Sequence, residues 1–160
     1  MRESYLSRLT LVSIFLLFQM SSFGQTPPVI FWQNTIGGNL DDEMTSVAQT
    51  SDGGYICGGI SESAVTGDKT DPGNGLQDYW IVKLDAMGNM QWQNAIGGSG
   101  IDNLRDIKQT ADGGYICGGE SNSPLSGDKT ENGLGDYDFW ILKLDSAGNI
   151  VCQNTIGGTG

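Results

Sequence analysis

Carboxylates are the side chains whose number and clustering could carry chemistry in this chain. It has 19 Asp and Glu among 160 residues, and no His. Without His, Ser-His-Asp and Cys-His nucleophilic sites and His-bearing zinc sites cannot be built within the chain. One acidic cluster, Asp41, Asp42 and Glu43, follows Ile36-Gly37-Gly38, and Asp102 stands in the place equivalent to Asp42. Two carboxyls facing each other across a cleft at about 5–10 Å would suit glycoside hydrolysis. These acids, however, recur from copy to copy of a repeat, whereas catalytic groups sit once per molecule. The bland role is an Asp at a strand-to-loop junction accepting backbone N–H groups. No catalytic residue is expected.

The second acidic set lies in two long loops. Asp68, Asp71 and Asp78 match Asp128, Glu131 and Asp138, with Asp136 added. Oxygen-rich loops with Gly turns can hold Ca²⁺ through six to eight oxygens, so these seven residues are the candidate calcium ligands. Their spacing does not follow the EF-hand pattern, and Lys69 and Lys129 sit among them. Asx-turns that cap a solvated loop are the competing account, and no cofactor is expected. The glycine motifs precede no helix, so they read as turns and not as phosphate cradles. The three thiols are Cys57, Cys117 and Cys152. Cys57 and Cys117 occupy equivalent positions about one sheet spacing apart, near 10 Å, beyond the reach of a disulfide. All three read as small packing residues.

What positions these residues is a 60-residue repeat. Residues 32–91 and 92–151 share 33 identities without a gap, including DGGYICGG, GDKT and KLD. A third copy opens at Cys152 as CQNTIGG. Each unit reads as four strands. Met44 to Thr50 runs into Ser51-Asp52-Gly53-Gly54, whose glycines suit a hairpin turn. Tyr55 to Ser61 returns, a polar loop from Glu62 to Gln77 follows, then Asp78 to Asp85 and Met90 to Ile96. Alternation puts Trp80, Val82 and Leu84 on one face of the third strand and Tyr79, Ile81 and Lys83 on the other. Two apolar faces fit a sheet covered on both sides. Tyr79, Trp80, Phe139 and Trp140 therefore read as packing between sheets. The expected fold is all-β and β-propeller-like, with 60-residue blades of four antiparallel strands. A β-sandwich fits less well, because its strands are not copies of one another.

The organisation expected along the chain is a signal peptide at 1–24, a leading outer strand and loop at 25–43, a first blade at 44–98, and a second at 99–160 with the start of a further repeat. Arg2 and Arg8, the apolar run Leu9–Met20 and the small residues ending at Gly24 form the signal. Val29 to Gly38 repeats a fourth strand with no blade before it, so the ring is incomplete. The chain is expected to be the N-terminal piece of a longer protein, with further repeats of that protein as its first partners. From Gln25 onward there are 6 basic and 18 acidic residues, a net charge of −12. That balance disfavours nucleic acid and an anionic membrane surface, and no membrane insertion is expected after signal cleavage.

The string QTxDGGYIxxG, a Gly/Asp-rich loop, and DYWxxKLDxxGNxxWQ resembles the SBBP-type repeats of bacterial β-propellers. The resemblance covers nearly all of residues 32–158. It implies an exported protein of the kind carried by type IX secretion, secreted or displayed at the cell surface. Cys152, where Trp32 and Trp92 stand in the other copies, departs from that pattern. The expected role is non-enzymatic binding of an extracellular protein or glycan by loops on a rigid scaffold. The alternatives are part of a carbohydrate-active hydrolase with its acids in other blades, and a calcium-dependent adhesion module.

Overall fold

In the computed structural model, residues 27–159 are described; the expected signal peptide lies outside them. The chain divides into two compact units, Met1–Ile30 and Phe31–Gly160. Of the first, residues 27–30 are described and carry no strand. The second holds eight strands and, among the described residues, no helix.

The first sheet comprises β1 (Asp42–Gln49), β2 (Tyr55–Ser61), β3 (Asp78–Leu84) and β4 (Met90–Ile96). The second comprises β5 (Asp102–Gln109), β6 (Tyr115–Ser121), β7 (Asp138–Leu144) and β8 (Ile150–Ile156). Each is an antiparallel meander in sequence order. Their registers coincide residue for residue: Trp80 lies opposite Gly59 and Ala95, and Trp140 opposite Gly119 and Thr155. Even the irregularity in the first strand recurs, between Met44 and Ser46 and between Leu104 and Asp106. The blade-like repeat read from the sequence is thus the one observed, and no closed ring forms among the described residues. The first strand begins two residues earlier than its composition suggests, because Asp42 pairs with Ser61.

The turns follow from local chemistry. In the β1–β2 turn, Gly53 has φ near +84°, a conformation costly for any residue with a Cβ. The Thr50 hydroxyl and the Gly54 N–H both donate to Asp52 Oδ1, and the Gly53 N–H to the Thr50 carbonyl at 2.9 Å. The Thr110-Ala111-Asp112-Gly113 turn repeats these bonds.

The core lies between the sheets. Ile56, Tyr79, Ile81 and Ile96 of the first meet Leu104, Ile107, Tyr115, Cys117, Trp140, Leu142 and Leu144 of the second. The Tyr79 face of one sheet therefore seats on the Trp140 face of the next, as the alternation requires. Tyr79 donates its hydroxyl to the Trp140 carbonyl at 3.1 Å, and the two rings stand 5.2 Å apart. Burial pushes the Tyr79 phenol well above its ordinary pKa. The faces not used in this contact behave differently. Trp80, Val82 and Leu84 gather their own small cluster. Phe139, the counterpart of Tyr79, is 67 % exposed, so it does not pack between sheets as its position in the repeat suggests. Cys152 is also exposed, Cys57 half-buried and Cys117 buried. The packing role expected of all three holds fully for Cys117, which has a sheet laid over it, and in part for Cys57, which packs against the Trp80 cluster, but not for the exposed Cys152.

Residues 31–38 join no ladder. The expected leading strand pairs with no strand among the described residues. Its side chains are nonetheless fixed, as described below.

Gly58 and Gly118 are the same residue in the same strand position with different surroundings. A Cβ at Gly58 would stand 2.5 Å from Leu104 Cδ2 and 2.9 Å from Ile107 Cγ2, whereas one at Gly118 meets nothing within 4 Å. Gly58→Ala should cost about 1–3 kcal/mol through overpacking, and Gly118→Ala should stay within about 0.5 kcal/mol. Thermal melts of the two variants check this; equal losses would mean that the Gly58 face is not covered.

Candidate functional site

The candidate acids are placed by the corners that lead into the first strand of each sheet. At Gly37-Gly38 two carboxylates converge on consecutive amides. The Gly37 N–H donates to Asp68 Oδ2 at 3.2 Å and the Gly38 N–H to Asp42 Oδ2 at 2.6 Å. The next corner is built alike: Gly97 N–H to Asp128 Oδ2 at 3.2 Å, Gly98 N–H to Asp102 Oδ2 at 2.7 Å. Asp42 and Asp102 also accept from Ser63 and Ser123 at 3.1 and 2.9 Å. These acids hold the backbone in place, which is why they repeat.

Four of the remaining loop acids are likewise spent. Asp71 Oδ2 accepts from the Ala95 N–H at 3.2 Å and Glu131 Oε2 from the Thr155 N–H at 2.6 Å. Each caps the free edge of a fourth strand, where an unpaired N–H would otherwise invite another chain. Asp78 Oδ2 accepts from Asn74 and Gly75, and Asp138 Oδ2 from Leu134 and Gly135. Asp136 stays exposed in its loop. Six of the seven candidate calcium ligands therefore accept backbone N–H groups. Among the described residues no group of three or more His, Cys, Asp or Glu stands together as metal ligands.

Charge is buried at the same end of the sheets. Lys69 and Lys129 are each 1 % exposed. Lys69 Nζ donates to the Ser63 carbonyl at 2.6 Å and Lys129 Nζ to Ser121 Oγ at 2.9 Å. Lys129 also lies 5.7 Å from the Trp140 ring centroid. Burial pushes the Asp78 carboxyl up, two loop amides and Lys69 pull it down, and Asp102 raises it further. Burial likewise lowers the Lys129 ammonium against the pull of Asp102 and Asp138. A Cβ at Gly97 would overlap Asp78 Oδ1 and stand 3.0 Å from Asp102 Oδ2. Glycine at this corner lets the two acids approach the backbone. Both have one buried oxygen, Oδ1, without a partner.

The surface feature that the acids do not explain is apolar. A groove of about 480 Å³ runs over the outer face of the first sheet. Its floor is Trp80, Val82, Leu84, Tyr55 and Cys57, and its walls are Met44 and Val47 on one side and Trp32, Asn34 and Ile36 on the other. Met44 and Val47 are 63 % and 55 % exposed. Sequence reasoning named Trp80 only as packing and did not find this groove. The signal was present: the Trp80 face belongs to the first of the two copies, which has no sheet before it among the described residues.

Residues 32–38 form the groove's wall because they copy the contacts of β4 and its corner. Trp32 meets Tyr55 edge-on at 5.6 Å and 65°, as Trp92 meets Tyr115 at 5.7 Å and 67°. Asn34 Nδ2 donates to the Gly88 carbonyl at 3.1 Å, and Asn94 Nδ2 to the Gly148 carbonyl at 2.7 Å. The Asp68 N–H donates to the Gly37 carbonyl and the Asp128 N–H to the Gly97 carbonyl, both at 2.9 Å. The segment is pinned where the fourth strand of a preceding sheet belongs.

The chain matches no protein-family model, and no curated protein matches it significantly.

The hairpin ends of the sheets carry the clearest pH dependence. The Thr50 hydroxyl, Lys83 and the Gly54 amide hold Asp52 well below its ordinary 3.8, and Thr110, Lys143 and Gly114 do the same for Asp112. Lys83 and Lys143 each lie 2.9 Å from their carboxylate. A carboxyl with a depressed folded pKa contributes stability that is full above its unfolded pKa and is lost as pH falls through the folded value. The melting temperature should therefore drop on acidification below about pH 4. The double variant Asp52→Asn, Asp112→Asn should melt lower at neutral pH and follow a flatter acid limb. Parallel limbs in melts taken across the acid range would show that neither carboxyl is coupled to folding.

Proposed function

We propose that this chain is an exported, non-enzymatic β-propeller module that works by presenting rigid surfaces to other proteins or glycans. The observation that carries the reading is the disposition of its carboxylates. The repeated acids at the corners accept backbone N–H bonds, Asp102 and Asp128 where the chain passes from one sheet to the next, and Asp42 and Asp68 where it enters the first sheet. Acids occupied in this way support a scaffold better than they support general acid and base work, which needs a proton-accepting oxygen aimed at substrate.

Export rests on the basic, apolar and small-residue succession of residues 1–24 and on the acidic surface. The resemblance to SBBP-type repeats of type IX substrates points the same way. Further sheets of the same repeat are the first partners proposed, since both outer faces of the sheet pair carry apolar residues.

Fractionation of cells expressing the chain should place it outside the cytoplasm with Gln25 as its first residue. Cytoplasmic protein retaining Met1 would sink the export reading. The same material should release no reducing sugar from a panel of soluble polysaccharides, and its melting temperature should not move in millimolar Ca²⁺. Sugar release lost on replacing one acid would restore the hydrolase alternative, and a calcium-dependent rise in melting temperature would restore the adhesion one.

A further inference from the structure

Two carboxyls from different sheets are buried against each other where the chain crosses from the first sheet to the second. Asp78, the first residue of β3, is 2 % exposed, and Asp102, the first of β5, is fully buried. They meet across Gly97, where a Cβ would overlap Asp78 Oδ1 and stand 3.0 Å from Asp102 Oδ2. The two carboxyls therefore lie within about 5 Å of each other, close enough for like charges to act strongly. One oxygen of each is already used. Asp78 Oδ2 accepts from the Asn74 and Gly75 N–H groups at 3.0 and 3.4 Å, and Asp102 Oδ2 from the Gly98 N–H and the Ser123 hydroxyl at 2.7 and 2.9 Å. The other oxygen of each, Oδ1, is buried without a donor among the described residues.

The corner into the first sheet shows what is particular to this crossing. There Asp42, the counterpart of Asp102, receives the Ser61 hydroxyl on Oδ1 at 2.5 Å. Ser121, the counterpart of Ser61, accepts from Lys129 Nζ at 2.9 Å, and Asp102 Oδ1 goes without. No carboxyl of a preceding sheet stands over Asp42 among the described residues; Asp78 stands over Asp102. A buried acceptor left without a donor is costly. One proton relieves both, because a protonated carboxyl gains an O–H donor and turns one of the two acceptors into the other's partner. The bonds to Asp78 Oδ2 are the longer pair, and they favour a carboxylate less than the bonds to Asp102 do.

We propose that Asp78 keeps a proton on Oδ1 in the folded chain at pH values where an ordinary carboxyl is ionised, donates through it to Asp102, and so makes the hold of the first sheet on the second firmer in mild acid than in base. This goes beyond the scaffold reading and needs no particular partner on the outer faces. The charged groups around the pair come from both sheets. Lys69, in the loop before β3, faces Asp78. Lys129, in the loop before β7, faces Asp102, Asp138 and Glu131, and Asp128 beside it faces Asp71 and Asp102. Both ammonium groups are bonded elsewhere, to the Ser63 carbonyl and the Ser121 hydroxyl. Burial pushes the Asp78 carboxyl up and Asp102 adds to it, against two loop amides and Lys69. A carboxyl whose folded pKa is raised contributes stability that is full below its unfolded pKa and is lost as pH rises through the folded value. Its sign is opposite to that of Asp52 and Asp112, whose contribution is lost on acidification.

Thermal melts of the purified chain from about pH 4 to about pH 8 test this, above the acid limb of Asp52 and Asp112. The melting temperature should fall by about 3–5 °C across that range. Asp78→Asn keeps an acceptor for the Asn74 and Gly75 amides and offers an N–H to Asp102. It should melt higher than the parent at the alkaline end and lose at least half of the fall. Asp128, which burial, Asp71 and Asp102 push up, supplies the remainder. Asp138→Asn makes the same change in the second sheet, where no acid of a following sheet stands opposite among the described residues; it should leave the slope unchanged. Infrared spectra of the parent at about pH 5.5, above the ordinary carboxylate range, should contain the C=O stretch of a protonated carboxyl that both Asp78→Asn and Asp102→Asn remove. Should Asp78→Asn fail to fold, Asp102→Asn carries the same reading, because its amide N–H favours an ionised Asp78. A level or rising melting temperature in the parent, a slope that Asp78→Asn leaves intact or Asp138→Asn abolishes equally, or a spectrum without that band would each overturn the proposal.

Discussion

Everything in this molecule depends on one contact, the seating of the Tyr79 face of one sheet on the Trp140 face of the next. A four-stranded sheet of seven- and eight-residue strands, apolar on both faces, has no interior of its own. Its side chains become a core only when another sheet covers them. The contact excludes water from Tyr79, Ile81, Leu104, Cys117 and Trp140 together. It also sets the chemistry of what it buries: the Cys117 thiol is pushed up to about 12 by desolvation, so it behaves as a hydrocarbon would.

The polar groups serve that contact. A corner leading into a sheet must present consecutive glycine amides to the interior, and each amide needs an acceptor. Asp42 and Asp68 supply them at one corner, Asp102 and Asp128 at the next. The acidity that looks like a binding or catalytic signal is largely the means by which a glycine-rich chain turns without leaving donors unpaired. The buried lysines belong to the same arrangement, since Lys69 and Lys129 place charge beside carboxylates that would otherwise be unopposed in a dry region.

The strands, their order and their registers were legible because alternation and the 60-residue period both survive in the sequence. The faces of the third strand could be assigned from Trp80 and Tyr79 alone. Coverage was not legible in the same way. Phe139 and Tyr79 occupy the same place in the repeat, as do Cys57 and Cys117, yet one of each pair is buried and the other is not. Periodicity says which way a side chain points, and only a neighbouring sheet decides whether water reaches it. The backbone-accepting role of Asp42 and Asp102 was legible, but that of the loop acid Asp68 escaped for a related reason. Asp68 and Gly37 are 31 residues apart, and no local pattern ties a loop carboxylate to a corner that precedes it in the chain. Residues 32–38 read as a strand from their likeness to β4, but a strand is a paired object, and this one is held by its side chains instead.

The two faces that meet are unlike each other, tyrosine on one and tryptophan on the other. The joint is consequently directional: it fits one face to a different one, and is not the self-complementary kind that a two-fold axis generates. A tandem gene duplication of one sixty-residue stretch delivers a plug and a receptacle at once, already facing the correct way. Lengthening such a protein therefore requires no new fitted surface, and the array can gain or lose members while every internal joint stays the same.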